Sequence, residues 1–118
     1  MIGAMSKRLQ RALELASEAL DAPLEKVAST DRVRGSNVRT ARCLAWWLTL
    51  STSNETVTAI GEDFGITHPA VIFGVRSCEK LRKENKKFRE LSDSLRVRLI
   101  AEFPSLASAL APGRPRTF

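Results

Sequence analysis

The chain has 118 residues, 43% of them apolar, which suits one domain with one core and excludes a disordered protein. A net charge of +6 points to partners that carry phosphate, and otherwise means a solvated basic surface. No run is long and apolar enough to span a bilayer, and "MIGAMSKR" has no hydrophobic stretch of signal-peptide length, so the expected location is cytoplasmic, with residues 1–5 read as a start codon and expression remnant.

Residues 6–20, "SKRLQRALELASEAL", place Leu9, Leu13, Ala16 and Leu20 at helical spacing among polar positions. That pattern predicts an amphipathic helix with Ser6 as its N-cap. Asp21-Ala22-Pro23 stops it, and "LEKVAS" supplies one or two further turns with Leu24 and Val27 pointing inward. "STDRVRGSN" has turn composition and carries Arg32 and Arg34. Such a basic loop either clasps a nucleic-acid backbone or is simply solvated.

"VRTARCLAWWLTL" is apolar from Cys43 to Leu48, the mark of a central helix. Trp46 and Trp47 are neighbours and lie about 100° apart on it, so core packing is expected with at least one near the rim. "STSN" reads as a break. "ETVTAIGEDF" is a short helix, capped by Thr56 or by a Thr52–Glu55 capping box, with Val57, Ile60 and Phe64 on one face.

A further helix from about His68 puts Val71, Val75, Cys78 and Leu81 on one face. The pattern weakens near Asn85, and Phe88, Leu91, Leu95 and Leu99 form a second stripe. Either a new helix starts near Lys86 or one long helix bends there. Pro104 ends the helical region. The domain therefore spans residues 6–103, and residues 104–118 form a flexible basic tail with Arg114 and Arg116. The fold class is all-α, a helical bundle of five or six helices. Cys43 and Cys78 form no metal or redox motif and read as small buried hydrophobes.

"IGEDFGITHPAVIFGV" is the most informative stretch. One helix stops and another starts within three residues, with Gly61 as a small residue at the crossing and Gly65 as a turn glycine. Ile66 plugs the core, and Val71 faces back toward Ile60 and Phe64. This is helix-turn-helix spacing. Pro69 fits a first helical turn, and either His68 or Thr67 is the cap. The exposed helix start offers free N–H groups and a positive dipole end to phosphate. Thr67, His68, Pro69, Ile72, Phe73 and Arg76 fall off the core face. Thr67, His68 and Arg76 suit base or phosphate contacts, whereas Phe73 suits either a thymine methyl contact or packing under the basic loop or on another subunit, with packing the expectation.

His68 lacks a paired acid or nucleophile, and no phosphate-binding glycine loop is present. No catalytic residue, metal or cofactor is expected.

The order of features resembles the C-terminal DNA-binding domain of the bacterial replication initiator DnaA, over roughly Leu9 to Leu99. "RCLAWWL" is similar to the family's Arg-Gln-Ile-Ala-Met-Tyr-Leu, "AIGEDFG" to its Glu-Ile-Gly-x-x-Phe-Gly, and "HPAVIFGVRSCEKL" to its His-Thr-Thr-Val-Leu-His-Ala-x-Arg-Lys-Ile-Glu-x-Leu. The resemblance implies a helical bundle with a Trp-repressor-like helix-turn-helix, a basic loop in the minor groove and the helix after the turn in the major groove. His68, Val71, Arg76 and Arg42 match family positions. The family's Gly-Arg-Asp-His-Thr-Thr reads "GITHPA" here, so the Arg-Asp pair and both threonines are replaced.

The expected DNA-binding set is Arg32, Arg34, Arg39, Arg42, Thr67, His68, Pro69 and Arg76. The expected function is non-enzymatic double-stranded DNA binding in replication control or transcription regulation. The alternative is a protein-interaction module, with a protein partner or a homodimer meeting the Phe73 surface.

Overall fold

The computed structural model describes residues 6–29 and 36–103. Arg32, Arg34, the tail with Arg114 and Arg116, and the first five residues lie outside the described residues. Among the described residues the structure is entirely helical, with six helices and no strand.

Ser6 starts the first helix, α1 (Lys7–Ala19), by accepting the Leu9 N–H at 3.1 Å. It also donates to the Glu55 carboxylate, 2.9 and 3.0 Å away, and so ties the start of α1 to the segment before the fourth helix. At the other end Asp21 adopts φ 53. That left-handed residue lets Asp21 N–H reach Glu18 O at 3.4 Å and Ala22 N–H reach Ser17 O at 2.9 Å, which closes the helix.

In α2 (Leu24–Val27) only Val27 turns inward, being fully buried, whereas Leu24 is 40% exposed. The i, i+3 spacing puts both on one face, but Leu24 opens the turn directly after Pro23 and stays at the edge of the core.

The central helix, α3 (Ser36–Thr52), runs through the first half of "STSN". Hydroxyls at and just before this stretch bond back along the helix. Thr49 donates to Ala45 O at 2.9 Å, Thr52 to Leu48 O at 2.7 Å and Ser53 to Thr49 O at 2.7 Å. Buried side-chain hydroxyls are thereby satisfied without leaving the helix.

Both tryptophans are buried. Trp46 meets Phe64 edge-on, centroids 5.4 Å apart at 88°. Trp47 is roofed by guanidinium groups, Arg82 at 4.3 Å and Arg96 at 5.7 Å from its centroid. Both rings thus belong to the core, with Trp47 at the place where the core meets charge.

Thr56 caps α4 (Val57–Phe64) by accepting the Ala59 N–H at 3.1 Å. Glu55 is engaged with Ser6 instead of a capping box. Then come α5 (His68–Glu84) and α6 (Lys86–Glu102), two separate helices. Asn85, at φ −129 and ψ 108, breaks the helical backbone, and its side chain accepts the Phe88 N–H at 3.0 Å to start the next helix.

Arg82 pins these two helices together by donating to Asp93 at 2.9 and 3.0 Å and to Ser92 at 3.2 Å. Arg11 pins α1 to α6 through Glu102 at 2.7 and 3.2 Å. α3 runs through the middle, and Leu44, Ala45 and Leu48 on it have no exposed surface at all. α5 packs on it so closely that a Cβ built on Gly74 would lie 2.5 Å from Trp46 Cζ3.

Candidate nucleic-acid interface

The junction of α4 and α5 is fixed by its backbone. Gly65 N–H donates to Glu62 O at 3.2 Å and Ile66 N–H to Gly61 O at 2.9 Å. This paired pattern requires a left-handed residue after the helix, and Gly65 supplies it at φ 71 and ψ 34. Gly61 has its own reason to be small. A Cβ there would lie 2.8 Å from Ile66 O, so the glycine admits the turn itself.

Thr67, at φ −78 and ψ 152, is the N-cap of α5, and His68 is the first helical residue. The Thr67 carbonyl accepts from Ala70 N–H at 3.1 Å and Val71 N–H at 3.4 Å. Its hydroxyl makes no capping bond. Pro69 sits in the first turn, where its missing donor costs nothing. Val71, Ile60 and Phe64 join one buried cluster, as the spacing required, and Ile66 packs against it half-buried.

The outward face of α5 follows from that anchoring. Thr67, His68, Pro69, Phe73 and Arg76 are exposed, and Ile72 is half-buried. Phe73 is 62% exposed. Arg39 reaches across from α3 and holds its guanidinium 5.8 Å from the Phe73 centroid. Further along the same face Lys80 and Lys83 are exposed too. No carboxylate among the described residues pairs with Arg76, Lys80 or Lys83.

Lys80 and Lys83 were not among the expected site residues. Their signal was in the spacing, four and seven positions after Arg76, which one helix face brings into line.

The expected residues thus divide. Thr67, His68, Pro69 and Arg76 share the strip on α5, and Arg39 joins it through Phe73. Arg42 has a different occupation. It donates Nε to Val27 O at 3.0 Å and Nη2 to Lys26 O at 2.7 Å, holding the last carbonyls of α2. Arg32 and Arg34 lie outside the described residues.

Reactive groups are quiet elsewhere. Burial pushes the Cys78 thiol up to about 12 and raises Cys43 as well, so both stay protonated and poorly nucleophilic. Burial also raises Glu55, against the lowering effect of its bond from Ser6. No group of three or more His, Cys, Asp or Glu that could hold a metal occurs among the described residues. No helix among them is long and apolar enough to cross a membrane. The chemistry on offer at the strip is cationic, with one large apolar ring.

No protein-family model matches the chain. Over 72 residues, 60% of its length, it is 32% identical to the chromosomal replication initiator protein DnaA of Mycoplasma capricolum subsp. capricolum. The chain spans 16% of the length of that relative. The similarity agrees with the DnaA resemblance carried by "RCLAWWL", "AIGEDFG" and "HPAVIFGVRSCEKL".

Proposed function

We propose that this chain is a non-enzymatic double-stranded DNA-binding protein. Its helix-turn-helix is α4, the Gly65 turn and α5, it corresponds to the C-terminal DNA-binding domain of DnaA, and it acts in replication control or transcription regulation. The observation that carries the proposal is the face of α5. An exposed helix start with Thr67, His68 and Pro69 continues into Arg76, Lys80 and Lys83, none of them paired with a carboxylate among the described residues. A helix so presented fits the major groove, and its cations suit the phosphates on either side. The similarity to DnaA supports the same reading.

Fluorescence anisotropy on duplex DNA across a salt series tests it. Each phosphate neutralised contributes about −0.9 to the slope of log K against log salt, so Arg39, Arg76, Lys80 and Lys83 together account for about −3.6. Absence of salt-dependent binding below about 100 µM at low ionic strength refutes the reading, because non-specific binding alone is typically tighter.

The second reading is a protein-interaction module that keeps the fold, and the exposure of Phe73 favours it. Phe73→Ala and Arg76→Ala, made separately, discriminate. The interaction reading holds if Phe73 governs oligomer size or partner capture and the arginines are dispensable for DNA.

A further inference from the structure

Phe73 is out of place on a surface meant only for phosphate. It stands 62% exposed in the middle of the outward strip of α5, one turn after Pro69 and one turn before Arg76, with Lys80 a turn beyond. A phenylalanine has no polar atom to offer a phosphate oxygen. Leaving a large apolar side chain in water forgoes the burial that stabilises it elsewhere. The ring has one neighbour of note. Arg39, from a different helix, lies 5.8 Å over it, and a guanidinium on one side leaves the rest of the ring open to solvent.

The charges around the ring select its partner. Arg39 lies beside it, Arg76, Lys80 and Lys83 follow along the same face of α5, and none of Arg76, Lys80 and Lys83 is paired with a carboxylate among the described residues. Glu79 lies to one side of the strip. An apolar protein surface would gain nothing from so many cations, whereas a duplex presents phosphates at the edges of a groove and apolar groups within it. In the major groove that apolar group is the 5-methyl of thymine.

We propose that Phe73 is a specificity-determining residue that packs against thymine 5-methyl groups in the major groove, with Arg39 as the positioning residue that holds the ring. This rests on the duplex-DNA reading above and adds a base preference to it. It places the selectivity of the helix one turn inside α5, away from its tip.

The test uses two pools of the same random-sequence duplex, one made with thymidine and one with deoxyuridine, which lacks only the methyl. The pools compete for limiting protein. Burying one methyl-sized group is worth about a fourfold preference for the thymidine pool. Phe73→Ala is expected to bind both pools equally with the salt slope unchanged, and Phe73→Leu to keep part of the preference. Arg39→Ala is expected to weaken the preference as well as the slope. Since Phe73 is exposed, the variants are expected to melt with the parent.

Salt-dependent binding of the parent to both pools with equal affinity overturns the proposal and leaves the DNA-binding reading standing. A methyl preference that survives Phe73→Ala overturns it also. Absence of salt-dependent binding to either pool overturns both, and so does tighter binding to single strands than to duplex.

Discussion

Gly74→Ala is the substitution whose effect the packing specifies most closely. The added Cβ would lie 2.5 Å from Trp46 Cζ3, 2.7 Å from Trp46 Cε3 and 3.1 Å from Cys43 Sγ. No φ penalty applies, because Gly74 is an ordinary helical residue. On propensity alone alanine would stabilise α5 by about 1 kcal/mol. Against this, forcing a methyl into a filled core costs about 1–3 kcal/mol, and contact with a rigid ring from two directions belongs at the upper end. The net expectation is a loss of about 2 kcal/mol, or about 8–16 °C in Tm for a domain of this size.

Trp46→Phe removes the two carbons that clash. The exchange forfeits no hydrogen bond, since Trp46 Nε1 is buried without an acceptor. In that background Gly74→Ala should be nearly neutral or stabilising, which appears as a positive coupling of about 2 kcal/mol in a double-mutant cycle. Thermal and urea unfolding of the four proteins measure it. An unchanged or raised Tm for Gly74→Ala, or a loss that is the same with Phe at position 46, would refute the close approach of α5 to α3.

Gly65→Ala isolates backbone strain, because no atom lies within 4 Å of the new methyl and the cost comes from φ 71 alone. A loss of about 1–2 kcal/mol in urea unfolding is expected, with Gly65→Asn losing less. Asp21→Gly is the mirror case, relieving φ 53 at the end of α1, and should raise stability by about 0.5–1 kcal/mol in the same assay. Glu55→Gln tests the buried carboxyl. Its folded pKa is raised by burial, so ionised Glu55 opposes folding as pH climbs through and above the usual carboxylate range, whereas its protonated form is fully accommodated below that range. Glu102 runs the other way, lowered by Arg11, and its contribution is lost as pH falls. With Gln at position 55, unfolding measured across the acid range should lose stability more steeply on acidification. An unchanged profile refutes the assignment.

The helices that bury a continuous stripe were legible from spacing. Leu9, Leu13 and Ala16, then Val71, Val75 and Cys78, are buried as a period of 3.6 demands. The caps Ser6 and Thr56 were legible for the same local reason. What escaped depended on side chains meeting across helices. The hydroxyls of Thr52 and Ser53 looked like a break because a sequence does not reveal whether a hydroxyl turns toward its own helix or away. Leu24 looked like core because an isolated turn shows no period.

At the candidate interface the exposure of Thr67, His68, Pro69 and Arg76 was legible because they lie off the Val71–Val75–Cys78 core face. The place of Arg42 was not, since its attachment to Val27 O and Lys26 O joins segments far apart in sequence. The Arg39–Phe73 contact has the same origin.

The bonds that set the α4–α5 junction run between main-chain atoms of Gly61, Glu62, Gly65 and Ile66. From Thr67 to Ala70 every residue is exposed, and the Thr67 hydroxyl makes no capping bond. The tip of α5 is therefore an interchangeable part. Its side chains can be exchanged without disturbing the hinge that presents them, provided both glycines stay. Of the positions where "GITHPA" differs from the Gly-Arg-Asp-His-Thr-Thr it resembles, those at residues 67–70 fall on the tip and leave the mount intact. The same separation leaves residues 67–70 open to randomisation with the core untouched, so what the tip contributes to any contact can be read apart from folding.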